Sequence, residues 1–155
     1  MCRVMSLVLE HKRRHHASLQ LSRNPPATEA QIDRVFESCP ARPAPTCPED
    51  LRAFLTCCNG LRLGATFETQ STEEMLWLTP QLLTIHGWGN GGFDCVRVRP
   101  EPRRSSPVVH VGHDPNRVVQ ITSSLDEWLM AIYLELATYG DIDPAQESSA
   151  YRVLR

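Results

Sequence analysis

Two segments of the chain combine a helix-start signal with apolar residues at helical spacing. Thr28 and Gln31 have the types and separation of a capping box, and Ser124 and Glu127 repeat the pattern. Each pair precedes apolar residues that recur every three or four positions, which places them on one face of a helix. These signals predict helices over 28–38 and 124–138.

A third apolar stripe lies between a proline-rich loop and an Asn-Gly stop. Pro48 suits the first position of a helix, and Asn59 followed by Gly60 is typical of a helix end. The apolar residues between these signals follow i, i+3, i+4 and i+7 spacing: Leu51, Phe54, Leu55 and Cys58. The pattern predicts a helix over 48–59.

After residue 60 the hydrophobic period changes from that of a helix to that of a strand. The clearest strands, 108–111 and 118–121, are short and rich in β-branched residues. Weaker strand patterns occupy 61–65, 82–85 and 93–98. Because helices come first, then strands, then a helix, the order favours an α+β fold. We expect one mixed or antiparallel sheet, drawn from 61–122 and flanked by helices.

Charge divides the chain into a basic start and a mildly acidic remainder. The formal net charge is −2, but the first 24 residues contain five basic residues and one acidic residue. That leader therefore carries +4 and leaves −6 for the rest. The length favours one domain, with a basic leader at 1–24 that is a helix or a loose tail, a domain at 25–140 and a polar tail at 141–155. The basic run at 11–16 suits nucleic acid, but a solvated face is the favoured interpretation, so no nucleic-acid partner is expected.

Cysteine usage and hydropathy indicate a cytoplasmic chain. None of the six cysteines belongs to a Cys-x-x-Cys pair, and the apolar run near the start is too short for a signal peptide. No stretch approaches the ~20 apolar residues of a membrane span. We expect free thiols in a reducing compartment and no membrane partner.

Two sequence patterns suggest a cofactor site or a metal site, but the neighbouring residues that such sites require are missing. Gly87, Gly89 and Gly92 match a dinucleotide fingerprint, but a strand-like run follows them instead of a helix. His110 and His113 are three residues apart, so a strand would point them to opposite faces, and further ligands are missing. The sequence predicts neither a cofactor nor a metal site, with His110 a filled sheet position.

Enzymatic chemistry is the minority interpretation. A nucleophile paired with a base, built from Cys57 with His113 or Asp114, stays open as an alternative. No established hydrolase, phosphate-binding or metalloprotease motif accompanies these residues. We therefore expect a non-catalytic protein.

The glycine-rich loop and a later turn are the candidate partner-binding residues. Glycines let the loop project, Trp88 offers a rigid anchor, and the polar residues offer specificity. Loops carried on a rigid sheet commonly hold recognition residues. The alternative is that Trp88 folds back onto the core. The candidates are Trp88, Asn90, Asp94, His113 and Asp114.

Several of these blocks, taken in order, are similar to a known family. The blocks are 26–29 with Ile32, 47–55 ending at Asn59 and Gly60, 91–94, 107–111 with 113–114, and 124–129. Across about 28–137 they resemble the SUKH superfamily of Smi/Knr-like domains. The resemblance implies a sheet flanked by helices and an immunity protein that neutralises a cognate bacterial toxin by direct binding. It also allows a regulatory or scaffold module without a toxin partner, and it implies no catalytic residue.

Overall fold

A computed structural model describes residues 2–89, 91–112 and 117–139. Four helices and eight strands follow the chain in the order α1 (Arg3–His15), β1 (Leu21–Arg23), α2 (Glu29–Glu37), α3 (Glu49–Leu55), β2 (Leu61–Leu63), β3 (Phe67–Glu68), β4 (Trp77–Thr79), β5 (Leu82–Gly87), β6 (Phe93–Arg97), β7 (Val108–Val111), β8 (Val118–Thr122) and α4 (Leu125–Tyr139). The predicted α+β class is confirmed. Within the described residues, no helix has both the length and the apolar character that crossing a membrane requires.

Local capping chemistry sets the starts of α2 and α4, as the sequence predicted. The Thr28 hydroxyl accepts from the Gln31 backbone N–H at 3.2 Å, and the Gln31 side chain accepts from the Thr28 N–H at 2.8 Å. In α4 the Ser124 hydroxyl accepts from the Glu127 N–H at 3.2 Å. The reciprocal bond comes from Ser123, whose N–H donates to the Glu127 carboxylate at 3.0 Å. The backbone N–H that bonds the Glu127 carboxylate is therefore that of Ser123, one residue before the expected Ser124.

Helix α3 is shorter than the apolar stripe predicted. It ends at Leu55, and Pro48 is its N-cap residue. Beyond it, Asn59 turns its side chain toward Thr72, whose N–H donates to Asn59 Oδ1 at 2.7 Å. Gly60 follows with a φ of +112°, which favours glycine. Thr56 and Cys58 still donate their backbone N–H groups to carbonyls of α3, so tertiary hydrogen bonding begins only at Asn59, and Cys58 is buried as the stripe required.

The prediction of a single sheet is wrong. One antiparallel sheet has the strand order β1-β2-β3, and a second antiparallel sheet has the order β4-β5-β6-β7-β8. Strand β1 comes from the predicted leader and pairs Leu21 with Leu63. Strand β3 is the last strand of the small sheet along the chain, and the connection at 69–76 leads from it to β4 in the large one.

The basic leader is folded into the domain. Val4, Met5 and Val8 of α1 are buried in the main core, while Arg13 and Arg14 face solvent. Of the predicted leader, 3–15 is the helix α1 and 21–23 is the strand β1. The boundary predicted after residue 24 does not mark the edge of the core, because α1 and β1 both contribute to it.

The main core lies between the helices and one face of the five-stranded sheet. Trp128 and Tyr133 of α4 are among its largest fully buried side chains. The opposite face of the sheet carries a separate, smaller apolar cluster of Leu82, Cys95 and Val109. Alternation along β6 and β7 explains the division, because neighbouring residues point to opposite faces.

Candidate functional site

The topology brings the two predicted recognition loops to one end of the five-stranded sheet. Gly87 pairs with Phe93, Phe93 with Val111, and Val111 with Val118. This row crosses four neighbouring strands, so the β5–β6 loop and the β7–β8 turn leave the sheet side by side, with strands about 4.8 Å apart. We call this region the loop end of the sheet.

Trp88 packs inward more than a projecting anchor would. Its backbone N–H donates to the Gly92 carbonyl at 3.0 Å. Its ring lies edge-on to His86 with centroids 4.6 Å apart, and it packs against the main core. The side chain is half-buried, and its Nε1 is enclosed with no hydrogen-bond partner among the described residues. This arrangement is close to the alternative in which the tryptophan folds back.

The expectation that Asp94 offers polar specificity at the surface is wrong. Its side chain is fully buried, because strand alternation turns it toward α4. Asp94 Oδ1 lies 2.9 Å from His110 Nδ1, and Asp94 Oδ2 accepts from Trp128 Nε1 at 2.9 Å. The carboxylate joins β6, β7 and α4, so it positions other residues and cannot contact a partner directly. His110 is a filled sheet position, as predicted.

The other three candidates, Asn90, His113 and Asp114, lie outside the described residues. The structure describes the residues that carry them, Gly89 and Gly91 in the loop and Gly112 and Arg117 around the turn. Gly89 and Gly91 have φ values of +75° and +90°, which supports the prediction of a loop that uses positive φ angles. Their part in binding stays a prediction.

The sequence analysis missed an apolar row on the sheet face that turns away from the helices. Phe93 and Val111 are half-buried beside the smaller apolar cluster, and Val118 is 40% exposed. Residues paired directly across strands share a face, so these three side chains form one patch at the loop end. A signal existed in the sequence: the consecutive valines of β7 and β8 make both faces of the sheet apolar.

His86 is a second missed residue, held beneath Trp88. Its Nδ1–H donates to the Glu68 carbonyl at 2.7 Å, and its ring stacks on Phe67 with centroids 4.4 Å apart. Burial lowers the pKa of His86, an effect that the Glu68 carbonyl and the Asp94 charge partly oppose and the nearby His110 reinforces. The imidazole is therefore neutral and serves as packing.

Burial keeps two thiols beside Cys57 protonated. Burial raises the pKa of Cys2 to about 11 and that of Cys58 to about 12. Both flank Cys57, which is half-buried. A thiol that stays protonated at neutral pH is a weak nucleophile, so Cys2 and Cys58 act as packing groups. In the part of the chain that is described, no group of three or more side chains has the arrangement of a metal site.

Comparison with known proteins adds no assignment. No protein-family model matches the chain, and no curated protein matches its sequence significantly.

Proposed function

We propose that this chain is a non-catalytic protein-binding module, an immunity protein that neutralises a cognate bacterial toxin by direct binding. The observation that carries the proposal is the loop end of the sheet. There two loops of recognition-type composition leave the sheet beside an apolar patch in which Val118 is exposed and Phe93 and Val111 are half-buried. An apolar patch next to polar loops is the usual anatomy of a protein interface.

The whole chain carries a formal charge of −2, and its acidic excess lies outside the basic α1 and β1, which favours a basic partner for that part of the domain. Residues after the first 24 carry a formal charge of −6. Opposite charge speeds the encounter of two proteins and selects among partners, while buried apolar anchors supply most of the affinity. A basic toxin domain, covered at its active site by the loop end, is the partner that these features fit. The sequence resemblance to the SUKH superfamily favours the same function.

The surface is tested by a matched pair of substitutions. Val118 on β8 and Leu78 on β4 lie on opposite edge strands of the same sheet and are 40% and 38% exposed. A binding partner is first captured by pull-down from the native host with the parent chain as bait. Val118→Asp should weaken binding to this captured partner at least about tenfold, whereas Leu78→Asp should leave the affinity unchanged. Asp114→Ala should mainly slow association and change its salt dependence. Equal affinities for the Val118 and Leu78 variants would exclude this surface.

The immunity function is tested separately from the surface. The captured partner is expressed alone in a bacterial host and then together with this chain. We expect growth arrest from the partner alone and growth when both are present, with rescue lost for Val118→Asp. A partner that is harmless when expressed alone would favour the alternative of a regulatory or scaffold module.

A further inference from the structure

Helices α1 and α4 run side by side in the same direction. Arg3 lies near Asp126 and acts on its charge, and eight residues further along α1, His11 Nδ1 lies 3.0 Å from the Tyr133 hydroxyl. Between the helices, on the side of α4 that turns away from the sheet, is an open groove of about 510 Å³. We call it the α1–α4 groove.

The walls of the α1–α4 groove are aliphatic. Leu7 of α1 is 46% exposed, and Met130 and Leu134 of α4 are half-buried at the edge of the main core. Methionine adapts its shape to different apolar partners. From Asp126 to Leu134 the α4 wall is about 12 Å long at 1.5 Å per residue, the length of two turns of a helix.

One end of the α1–α4 groove is acidic. Asp126 and Glu127 stand there against the single cation of Arg3. Hydrogen bonds from Ser123, at 2.7 Å from its hydroxyl and 3.0 Å from its N–H, hold the Glu127 carboxylate and lower its pKa. Burial raises the pKa of Asp126, an effect that Arg3 only partly opposes. Both helices begin at this end, so their N-termini offset part of the negative charge, but the two carboxylates still outnumber the one cation that lines the groove.

We propose that the α1–α4 groove binds a short amphipathic helix of a partner protein. Aliphatic side chains at i, i+3 or i+4 and i+7 of that helix pack on Leu7, Met130 and Leu134, and a flanking lysine or arginine meets Asp126 and Glu127. This is the helix-in-groove mode of recognition. The length of the groove limits the contact to about two helical turns, and its charged end fixes the direction of the bound helix. The surface differs from the loop end of the sheet, so this proposal does not depend on the toxin-binding function.

The test uses designed peptides of about 15 residues, which is long enough to form a helix. One peptide presents leucines at i, i+3, i+4 and i+7 with two lysines at one end, and a second has the lysines at the other end. Two controls are a shuffled peptide of the same composition and a peptide with glutamates in place of the lysines. Fluorescence anisotropy should show one lysine peptide binding at least about tenfold more tightly than both controls, with weaker binding at higher salt.

Variants of the protein show whether the peptide binds in the α1–α4 groove. Leu7→Glu should weaken its binding at least about tenfold. Leu76→Glu is the matched control, because Leu76 is 56% exposed and lies away from the groove. Circular dichroism confirms that both variants are folded. Val118→Asp should leave peptide binding unchanged, which separates this test from that of the loop end.

Three outcomes would overturn the proposal. The first is equal binding of the designed and shuffled peptides, and the second is equal affinity of the Leu7 and Leu76 variants. The third is self-association of the parent chain in sedimentation velocity that Leu7→Glu abolishes. That result would assign the α1–α4 groove to a second copy of this chain.

Discussion

The indole N–H groups of the three tryptophans meet different surroundings. Trp128 Nε1 donates to the fully buried Asp94 carboxylate at 2.9 Å, and Trp77 Nε1 donates to the Val35 backbone carbonyl at 2.9 Å. Trp88 Nε1 is enclosed and meets no acceptor in the part of the chain that the structure describes. Replacing each tryptophan by phenylalanine removes the same atoms each time, but the hydrogen bond that is lost differs. Comparing the three variants therefore shows how much the hydrogen bond to Asp94 contributes to stability.

The expected loss in the free energy of unfolding depends on which group accepts the indole hydrogen bond. A hydrogen bond to a charged group stabilises a protein by about 1.5–3 kcal/mol and one between neutral groups by about 0.5–1.5 kcal/mol. Trp128 is only 2% exposed, so the smaller ring also leaves unfilled volume. We expect Trp128→Phe to cost about 2–4 kcal/mol and Trp77→Phe about 1 kcal/mol. Trp88→Phe should be close to neutral because it removes an unpaired buried donor.

Urea unfolding followed by far-ultraviolet circular dichroism measures the three losses without depending on tryptophan fluorescence. If the unfolding free energy of each variant falls with urea concentration at a similar slope, the urea midpoints can be compared directly as measures of stability. In an Asp94→Asn background, Trp128→Phe should cost at least about 1 kcal/mol less, since contacting residues are coupled. A loss for Trp128→Phe no greater than that for Trp77→Phe would refute the stabilising role given to the Asp94 carboxylate.

Three further predictions concern titratable groups that are buried, as His86 and Cys95 are, or half-buried, as Asp50 is. Because burial holds the folded pKa of His86 below its ordinary 6.5, protonation favours the unfolded chain, and stability present above about pH 6.5 is lost as the pH falls. Urea midpoints of His86→Phe should therefore fall less between pH 7.5 and pH 5.5 than those of the parent. Asp50 accepts backbone N–H bonds from α3, the β6–β7 connection and α4, so Asp50→Ala should cost about 2–4 kcal/mol in urea unfolding, and Asp50→Asn less. Burial raises the pKa of Cys95 to about 12, so mass spectrometry should find it alkylated by iodoacetamide at pH 8 only as fast as the chain unfolds, and rapid labelling would contradict its enclosure.

Within the candidate site, sequence reasoning located the loops better than the side chains. Glycines and strand patterns were enough to place a loop before β6 and a turn after β7. The direction of each side chain depends on which face of the sheet the helices cover. Asp94 was expected at the surface because it follows a glycine loop, yet it lies one position into β6 and on the face that meets Trp128.

The sequence by itself determined the local elements of this protein. The capping boxes at Thr28 and Ser124 and the β-branched runs of β7 and β8 act between residues close in the chain, so no tertiary information is needed to find them. Only the tertiary structure decided that the strands form two sheets, that α1 completes the core, and that Asp94 is an internal link. These outcomes depend on strand partners and on burial against distant residues, and pairwise contacts between distant segments leave no local pattern in the chain.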